Sequence, residues 1–489
     1  MGINFLANLS HYIPELMAIV TMMGLLFVEA CFKSSERNRL YLYLVSGIGL
    51  LFTFWSLGAA LSTKPLFIFT NSVAIDPFST LIKMIMVLGC AGSIYLSADS
   101  EDIYPNLKSE FAIMAMGVLV GGMLLASANN FLTLYLGIET LSILSYVMSS
   151  LKKRDDRSSE AGLKYVLYGG VASGIMLFGM SHIFGALGTI NFSEIIIAFN
   201  PQDSSQTTVL LVSFLFVFVG LGYKIACVPF HMWSPDVYEG SPIPVTTFFA
   251  IVPKMAGLAA LVRITMGLFG EDQTILQISW IGVIQVAAAL TMIVGNVSAI
   301  AQKSVKRMLA YSSIGHAGFM LLGVVVVDQT GASAIAFYGI TYLFMTLVAF
   351  FITGYVSDHY GNDHFERFNG LIHRYPVMCI MMIITMISLA GIPPMSGFVA
   401  KFNILAAAVK KGYFTLAIIG GINSVVSLYY YLKIVRLMVF KPVESEEAIA
   451  GFGIRNQIVV IGLSVPVIAL GIFWSSILSL SSGAHLLLP

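Results

Sequence analysis

Four charged residues stand in the middle of long apolar stretches, where a membrane would give them no water. They are Glu139 in YLGIETLSIL, Lys224 in VGLGYKIACV, Lys254 in AIVPKMAGLA and Lys401 in SGFVAKFNIL. A charge at mid-bilayer costs about 2.5–3.5 kcal/mol even on a lenient scale, so such residues usually mark ion pathways. Glu139 stands about ten residues, roughly 15 Å, from either end of its stretch, too far for glutamate to reach the interface. The chemistry that these residues suggest is proton uptake and release.

The stretch around Lys224 also contains a helix break. Pro229 follows the lysine by five residues, and a proline removes the backbone hydrogen bond to the carbonyl four residues earlier, here that of Ile225. A free carbonyl at membrane depth is tolerated only where it is buried in protein or lines a hydrated cavity. The combination therefore predicts a polar pocket beside Lys224.

The same combination recurs near Lys401. In SLAGIPPMSGFVAKF, Pro393 and Pro394 precede this lysine. They free the carbonyls of Leu389 and Ala390. Interrupted helices in corresponding positions of two halves point to inverted repeats. We therefore expect two related halves, each with a lysine beside a broken helix.

Acidic neighbours are expected to bias the protonation of these lysines. Burial favours the neutral form of a lysine, whereas a nearby carboxylate favours the charged form. Glu139 is one such neighbour for Lys224. Glu160 stands four residues before Lys164 in SSEAGLKYVL, a spacing that permits a pair on one helix face, and this pair is a second way to act on Lys224. The alternative for Glu160 and Lys164 is a weak surface pair at a helix start.

Two histidines could extend a proton path, because imidazole titrates near neutral pH. His316 lies in the segment YSSIGHAGFM, and His231 follows Pro229 after one intervening residue. The alternative for each is an ordinary hydrogen-bonded histidine. Among the other basic residues in apolar stretches, Arg263 lies near a predicted helix end, so its side chain should reach the membrane interface. For Lys83 both this interpretation and a functional role remain open.

The composition gives these residues their setting. The chain has 489 residues, of which 57% are hydrophobic and 10% charged, whereas soluble domains contain about 25% charged residues. This indicates a polytopic membrane protein. The net charge of +1, without a basic patch, argues against nucleic-acid binding. The four cysteines lack metal-ligand spacing, and we expect neither a metal site nor disulfides from Cys31, Cys90, Cys227 and Cys379.

The apolar stretches define the predicted membrane helices. A span needs roughly 20 mostly apolar residues, and this rule gives about fourteen helices. They are placed at 13–32, 40–62, 76–97, 110–127, 129–150, 160–186, 207–229, 242–268, 275–298, 307–327, 330–356, 376–408, 413–440 and 454–481. The predicted fold is therefore an all-α polytopic membrane protein in which helices 7 and 12 are broken.

The distribution of basic residues predicts the orientation of these helices. Loops after odd-numbered helices hold most of the lysines and arginines outside the spans, whereas loops after even-numbered helices contain only Lys64, Lys410 and Lys411. The basic loops of a membrane protein face the cytoplasm. Both termini should therefore lie on the non-cytoplasmic side.

Several motifs together resemble a known family. They are LYLGIETLSILSYVM, EAGLKYVLYGGVASG, GLGYKIACVPFHMWSPDVYEGSPIPVTTFFAIVPKMAG, KRMLAYSSIGHAGF and LAGIPPMSGFVAKF. The chain resembles the antiporter-like membrane subunits of bacterial proton-pumping NADH–quinone oxidoreductase (respiratory complex I). It is most similar to their N type, because the M type carries glutamate where this chain has Lys401. That family is also similar to subunits of multisubunit cation/proton antiporters.

The resemblance implies an organisation of the chain. It implies fourteen helices, with helices 4–8 and 9–13 forming two inverted five-helix repeats. The corresponding units are three N-terminal helices in 1–109, the first repeat in 110–270, the second repeat in 271–440 and a C-terminal helix in 441–489.

The resemblance also implies roles for individual residues. Glu139 matches the glutamate of the fifth helix, and Lys164 the lysine of the sixth helix that pairs with it or modulates it. Lys224 matches the lysine of broken helix 7, Lys254 the connecting lysine of helix 8, and Lys401 the lysine of broken helix 12. All five would take part in proton translocation.

The implied function is that of one subunit in a redox-driven proton pump of the bacterial inner membrane. This chain would hold no cofactor or metal, and NADH, FMN, iron–sulfur clusters and quinone would belong to other subunits. Its partners would be the other membrane-arm subunits, including adjacent antiporter-like ones, and the lipid bilayer. Two alternatives remain: a subunit of a cation/proton antiporter without redox coupling, and a membrane scaffold whose buried charges are dispensable.

Overall fold

The computed structural model describes residues 5–32, 37–153, 155–200, 202–269, 275–442, 453–483 and 485–488. These residues form nineteen α-helices, three short 3-10 helices and one two-stranded sheet. The all-α membrane fold that the sequence predicts is confirmed.

The first half of the chain contains eleven helices and both strands. In chain order the elements are α1 (Phe5–His11), α2 (Ile13–Phe32), α3 (Arg37–Ala60), β1 (Leu66–Ile68), β2 (Val73–Ile75), α4 (Pro77–Asp99), α5 (Lys108–Ala126), α6 (Phe131–Ser149), α7 (Asp156–Leu187), α8 (Phe192–Ala198), α9 (Ser204–Ile225), α10 (Trp233–Gly240) and α11 (Ile243–Leu268). The strands pair antiparallel, with Leu66 opposite Ile75.

The named elements of the second half, within the described ranges, are all helices. Its elements are α12 (Ile275–Ile300), α13 (Val305–Val325), α14 (Gln329–Tyr360), α15 (Pro376–Ala390), α16 (Ser396–Lys410), α17 (Phe414–Phe440), α18 (Ile454–Ile472) and α19 (Trp474–Ser482). The 3-10 turns are Pro105–Leu107, Phe365–Phe368 and Leu371–His373.

Thirteen helices within the described ranges are long and apolar enough to cross a membrane. The predicted twelfth span, 376–408, is divided between the shorter helices α15 and α16. The predicted seventh span, 207–229, was too long at its end, because α9 stops at Ile225. The predicted last span, 454–481, is likewise two helices, α18 and α19. The chain is thus a multi-pass membrane protein.

Both predicted breaks are present, and each helix ends on a residue in the left-handed conformation. In α9 this residue is Ala226 (φ 57°), and the amide of Cys227 donates to the Gly222 carbonyl at 2.9 Å. In α15 it is Gly391 (φ 85°). This pattern of caps satisfies the last carbonyls of a helix. The chain therefore leaves helix α9 before it reaches Pro229.

Burial separates an inner from an outer set of helices. The helices α11, α13 and α14 are almost wholly enclosed by the rest of the chain. A helix that is apolar on all sides belongs in such a core. The helices α2, α3, α7 and α18 instead expose much of their apolar surface, as helices that face lipid do. The buried lysines Lys224, Lys254 and Lys401 lie on α9, α11 and α16.

Candidate functional site

Lys224 stands in the last turn of α9 with only 1% of its surface exposed. Its ammonium group donates a 3.0 Å hydrogen bond to the hydroxyl of Ser142 and lies 5.6 Å from the centroid of the Tyr165 ring. Ser142 belongs to α6 and stands one turn after Glu139. The structure therefore brings α6 and the end of α9 together at a polar contact.

Glu139 itself is half-buried, and it makes no ion pair with a described residue. Its Oε1 atom is buried and has no hydrogen-bond partner among the described residues. A buried carboxylate oxygen without a partner is costly, and such groups call for a functional explanation. The position one turn from Ser142 puts this carboxylate on the approach to Lys224.

The predicted pair of Glu160 and Lys164 is present, with 2.6 Å between the ammonium and a carboxylate oxygen. Lys164 also pairs with Asp236 of α10 at 2.6 Å. Lys164 makes no ion pair with Glu139 in this structure, and the other role that the resemblance implied, modulation of Glu139, stays a prediction. Lys164 is instead turned toward the second half of the broken helix.

Lys254 lies at the centre of α11 and is 1% exposed. Its ammonium group donates to the hydroxyl of Ser313 in α13. The Ser313 hydroxyl lies 2.7 Å from that of Tyr342 in α14. Lys254 also lies 5.6 Å from the centroid of the Tyr238 ring. Lys254, Ser313 and Tyr342 thus form a continuous series of hydrogen-bonded groups across α11, α13 and α14.

His316 stands one turn after Ser313 on α13 and is buried. Its Nδ1 lies 2.6 Å from the hydroxyl of Tyr338, and its Nε2 lies 3.0 Å from the hydroxyl of Tyr431. Both ring nitrogens therefore have hydroxyl partners that can donate or accept. Ser313 and His316 therefore lie one turn apart on α13, and each contacts hydroxyl groups of neighbouring helices.

Lys401 is 5% exposed and lies in the first turns of α16. It donates a 3.0 Å hydrogen bond to the carbonyl of Ala390, the last residue of α15. The Phe319 ring, one turn beyond His316 on α13, lies with its centroid 5.0 Å from the ammonium. The Ala390 carbonyl is one of the two that the prolines were predicted to free, but its contact with Lys401 was not predicted.

The first break differs from its prediction in one respect. Pro229 is exposed at the surface of the chain, and so is Met232, so Pro229 does not face a pocket beside Lys224. His231 is half-buried, and its Nδ1 has no hydrogen-bond partner among the described residues. No hydrogen bond between described residues joins His231 to Lys224, Lys254 or Lys401.

Two kinds of residue were not predicted from the sequence. They are the hydroxyl groups that bond to the lysines, and Asp236, which pairs with Lys164. Ser142 and Ser313 could have been found, because each stands one helical turn from a residue already singled out, Glu139 or His316. The tyrosines of α14 and α17 carry no local signal. Within the described ranges, no group of three or more His, Cys, Asp or Glu side chains is placed to hold a metal ion.

The prediction that Arg263 reaches the membrane interface is wrong. Its side chain is fully buried, and its guanidinium lies 2.7 Å from a carboxylate oxygen of Asp76, also fully buried. Lys83 pairs in the same way with Glu15, at 2.5 Å between two buried side chains. Each of these cations finds an acid on a helix distant in sequence, so neither needs to extend to water.

Comparison with known proteins places this geometry in a family. The family model described as "NADH:quinone oxidoreductase/Mrp antiporter, TM" matches residues 128–427. NADH-quinone oxidoreductase subunit N 2 of Sorangium cellulosum is 37% identical over 488 residues, which cover 96% of each chain. Subunit N of Nitrosomonas europaea is 35% identical and covers 96% of this chain and 95% of that protein. A chain of respiratory complex I from Thermus thermophilus with bound aureothin matches with a TM-score of 0.81 and 28% identity, covering 96% of this chain and 100% of that one. The chain therefore belongs to the NADH–quinone oxidoreductase subunit N family.

Proposed function

We propose that this chain translocates protons in the membrane arm of an NADH–quinone oxidoreductase, through Glu139, Lys164, Lys224, Lys254 and Lys401. The observation that carries this proposal is the row of three lysines buried in apolar helices, each bonded to a neutral hydroxyl or carbonyl. A lysine paired with a carboxylate would be held in its charged form, whereas these partners leave it able to lose its proton. These three lysines are therefore better suited to proton transfer than to permanent ion pairing.

The hydroxyl groups give the proton a means of moving between helices. A serine or tyrosine hydroxyl donates one hydrogen bond and accepts others, so it can pass a proton without holding a charge. Lys254, Ser313 and Tyr342 are joined in this way, and His316 is joined to two tyrosines. We propose His316 as the relay between the Lys254 and Lys401 ends of the row. His231 and Glu160 would act at the edges of the path.

The two broken helices have complementary roles in this proposal. Pro393 and Pro394 follow the end of α15, whose last carbonyl receives Lys401. The helix α9 ends at Ile225, before Pro229, so that Lys224 stands at a helix end and not in a helix interior. A lysine in the last turn of a helix is favoured by the helix dipole. Each break thereby lowers the cost of a charged lysine at membrane depth.

The redox chemistry would take place in other subunits of the complex. They would carry NADH, FMN, iron–sulfur clusters and quinone, and quinone reduction there would change the charge states along the lysine row. The neighbours of this chain would be membrane-arm subunits, including other antiporter-like ones. We place the complex in the bacterial inner membrane, with both termini of this chain outside the cytoplasm. The units 1–109, 110–270, 271–440 and 441–489 would be the N-terminal helices, the two inverted repeats and the last helix.

The test is proton pumping by the whole complex in proteoliposomes, measured together with quinone reduction. Lys224→Ala and Glu139→Ala should sharply lower the number of protons pumped per electron while the complex still assembles. Lys64→Ala, which removes an exposed lysine, is the matched control and should change nothing. An unchanged ratio in both variants of the row would overturn the proposal.

A cation/proton antiporter without redox coupling is the second candidate, because the matching family description includes Mrp antiporters. Mass spectrometry of the purified assembly separates the two. Flavin and iron–sulfur subunits that co-purify with this chain support the redox complex. Their absence from an intact assembly that exchanges cations for protons would favour the antiporter.

A further inference from the structure

A charged basin opens at the end of the bundle where α7 begins. It is a cavity of about 210 Å³ between α7, α10 and α13. Its charged lining residues are Arg157, Glu160, Lys164, Asp236, Glu239 and Arg307. We call this cavity the α7–α10–α13 basin. Lys164 is the member of the basin that also belongs to the proposed proton path.

Asp236 is the centre of the ion pairs in this basin. One of its carboxylate oxygens lies 2.6 Å from the ammonium of Lys164, and the other lies 2.9 Å from the guanidinium of Arg307. Arg307 also pairs with Glu239. Isolated surface pairs contribute little, but charges that form a network hold one another in place. The network links α7 and α10, in the first half of the chain, to α13 in the second.

The two carboxylates bound to Lys164 are not equivalent. Glu160 lies on the same helix as the lysine and is 59% exposed, whereas Asp236 is 32% exposed and is anchored by Arg307. An exposed pair within one helix is weak and easily exchanged for water. Asp236 therefore determines where the Lys164 ammonium lies.

We propose that Asp236 is a positioning residue that holds the Lys164 ammonium in the α7–α10–α13 basin, and that Arg307 sets the strength of this hold from α13. This inference rests on the proposed role of Lys164 in proton transfer. When Arg307 draws the Asp236 carboxylate toward itself, Lys164 loses its anchored partner and is held only by the exposed Glu160.

The position of Asp236 makes it a link between the two halves of the chain. It lies on α10, the short helix after the break that follows Lys224. Arg307 stands in the first turn of α13, the helix that carries Ser313 and His316. A small movement of α13 therefore changes the competition between Arg307 and Lys164 for one carboxylate. The charge state of groups in the second half of the chain would in this way alter the position of Lys164 in the first half.

The experiment is a double-mutant cycle in the assembled complex, read as protons pumped per electron. Lys164→Ala should lower the ratio. Asp236→Asn should also change it in the native background, because Lys164 loses its anchored partner. In the Lys164→Ala background, Asp236→Asn should cause no further change, because Asp236 acts through Lys164. A purely structural Asp236 would instead give an additional loss in that background, and this result would overturn the inference.

Asp156→Asn is the matched control. Asp156 is an exposed carboxylate in the first turn of α7 and does not line the basin, so this variant should keep the native ratio. An effect equal to that of Asp236→Asn would show that loss of any carboxylate near the start of α7 is sufficient and would overturn the role assigned to Asp236. If the Asn variant does not assemble, Asp236→Glu takes its place in the cycle. It keeps the charge, moves the carboxylate by one methylene, and should alter the ratio only where Lys164 is present.

The cycle also separates this inference from the proposed function. If Lys164→Ala leaves the ratio unchanged, the role of Lys164 in transfer fails and the inference fails with it. If Lys164→Ala lowers the ratio but Asp236→Asn does not change it, the proposed function stands and the inference alone is overturned.

Discussion

The ammonium group of Lys401 donates a 3.0 Å hydrogen bond to the carbonyl of Ala390, the last residue of α15. The last carbonyls of a helix have no partner within it, and they carry the partial negative charge of the helix dipole. The break between α15 and α16 thus supplies a dipole in place of the carboxylate that the buried cations Lys83 and Arg263 have. Because a dipole attracts the charged form less strongly than a carboxylate would, we expect Lys401 to release its proton more readily than a lysine in an ion pair.

Lys401→Met tests this relationship. The side chain keeps much of its volume, but the ammonium that can carry a proton is lost, so we expect the protons pumped per electron to fall while the complex assembles. Lys410→Met is the control, because Lys410 is exposed at the end of the same helix. The role of Lys401 would be wrong if both variants pumped like the native complex.

The His316 site gives a second prediction. His316 lies between the hydroxyls of Tyr338 and Tyr431, so His316→Met removes the imidazole whose two ring nitrogens can pass a proton between these hydroxyls. A positioned proton-transfer group contributes about 10²–10⁴-fold to a rate, and we expect proton transfer through this chain to fall by at least about tenfold. The measurement is the initial rate of proton uptake by proteoliposomes.

His182→Met is the control for this experiment. His182 is exposed on α7, where its ring contacts that of Phe178. It should pump at the native rate. Native pumping by the His316 variant would return His316 to the alternative of an ordinary hydrogen-bonded histidine.

The buried pair of Arg263 and Asp76 gives a prediction about stability. Removing one partner of a buried ion pair leaves an uncompensated charge and costs about 3–5 kcal/mol. Arg263→Leu should therefore sharply lower the melting temperature of the purified complex. Arg263→Leu combined with Asp76→Asn should recover much of the loss, because the amide oxygen can still cap α4 at Ser79, as the carboxylate does.

An exposed ion pair provides the comparison. Arg455 and Asp99 are 62% and 43% exposed, and breaking such a pair costs about 1 kcal/mol or less. Arg455→Leu should therefore change the melting temperature far less than Arg263→Leu. Equal effects of the two substitutions would contradict the assignment of Arg263–Asp76 as a buried structural pair.

The membrane helices and both breaks could be predicted because their signals are local. An apolar stretch of sufficient length, or a proline within such a stretch, is visible in the sequence itself. The pairs Lys83–Glu15 and Arg263–Asp76 could not be predicted, since their members are 68 and 187 residues apart. Only the packing of the helices brings them together, and without it Arg263 looked like a residue that extends to the interface.

The candidate site could likewise be predicted only in part. The lysines could be identified because a charge in an apolar stretch is costly, whereas Tyr338 and Tyr431 are neutral and carry no such signal. The end of α9 at Ala226 was also missed, because alanine seldom adopts the left-handed conformation found there (φ 57°). The sequence therefore indicates which groups we propose for proton transfer, but the groups that connect them depend on tertiary structure.

Asp102, in the loop between α4 and α5, gives a prediction about pH. Its carboxylate lies 2.8 Å from the ammonium of Lys152 and accepts a hydrogen bond of 3.2 Å from the amide of Ile243, at the start of α11. Burial raises the pKa of Asp102, but the charges of Lys306 and Lys152 and these hydrogen bonds outweigh burial and leave the pKa below its usual value. The ionised Asp102 thus joins this loop to the central helix.

Because this pKa is lower in the folded chain, the stabilisation by Asp102 is fully present above the unfolded value of about 3.9. It is lost as the pH falls through the folded pKa. Asp102→Asn should therefore melt at a lower temperature than the native complex at pH 7, and the difference should shrink as the pH is lowered below about 4. The measurement is a series of thermal melts of the purified complex from neutral to acid pH.

Asp156→Asn, at an exposed position in the first turn of α7, should have a much smaller effect at pH 7. A difference for Asp102→Asn that grew toward acid pH would show that the carboxylate destabilises the fold, contrary to its contacts with Lys152 and Ile243.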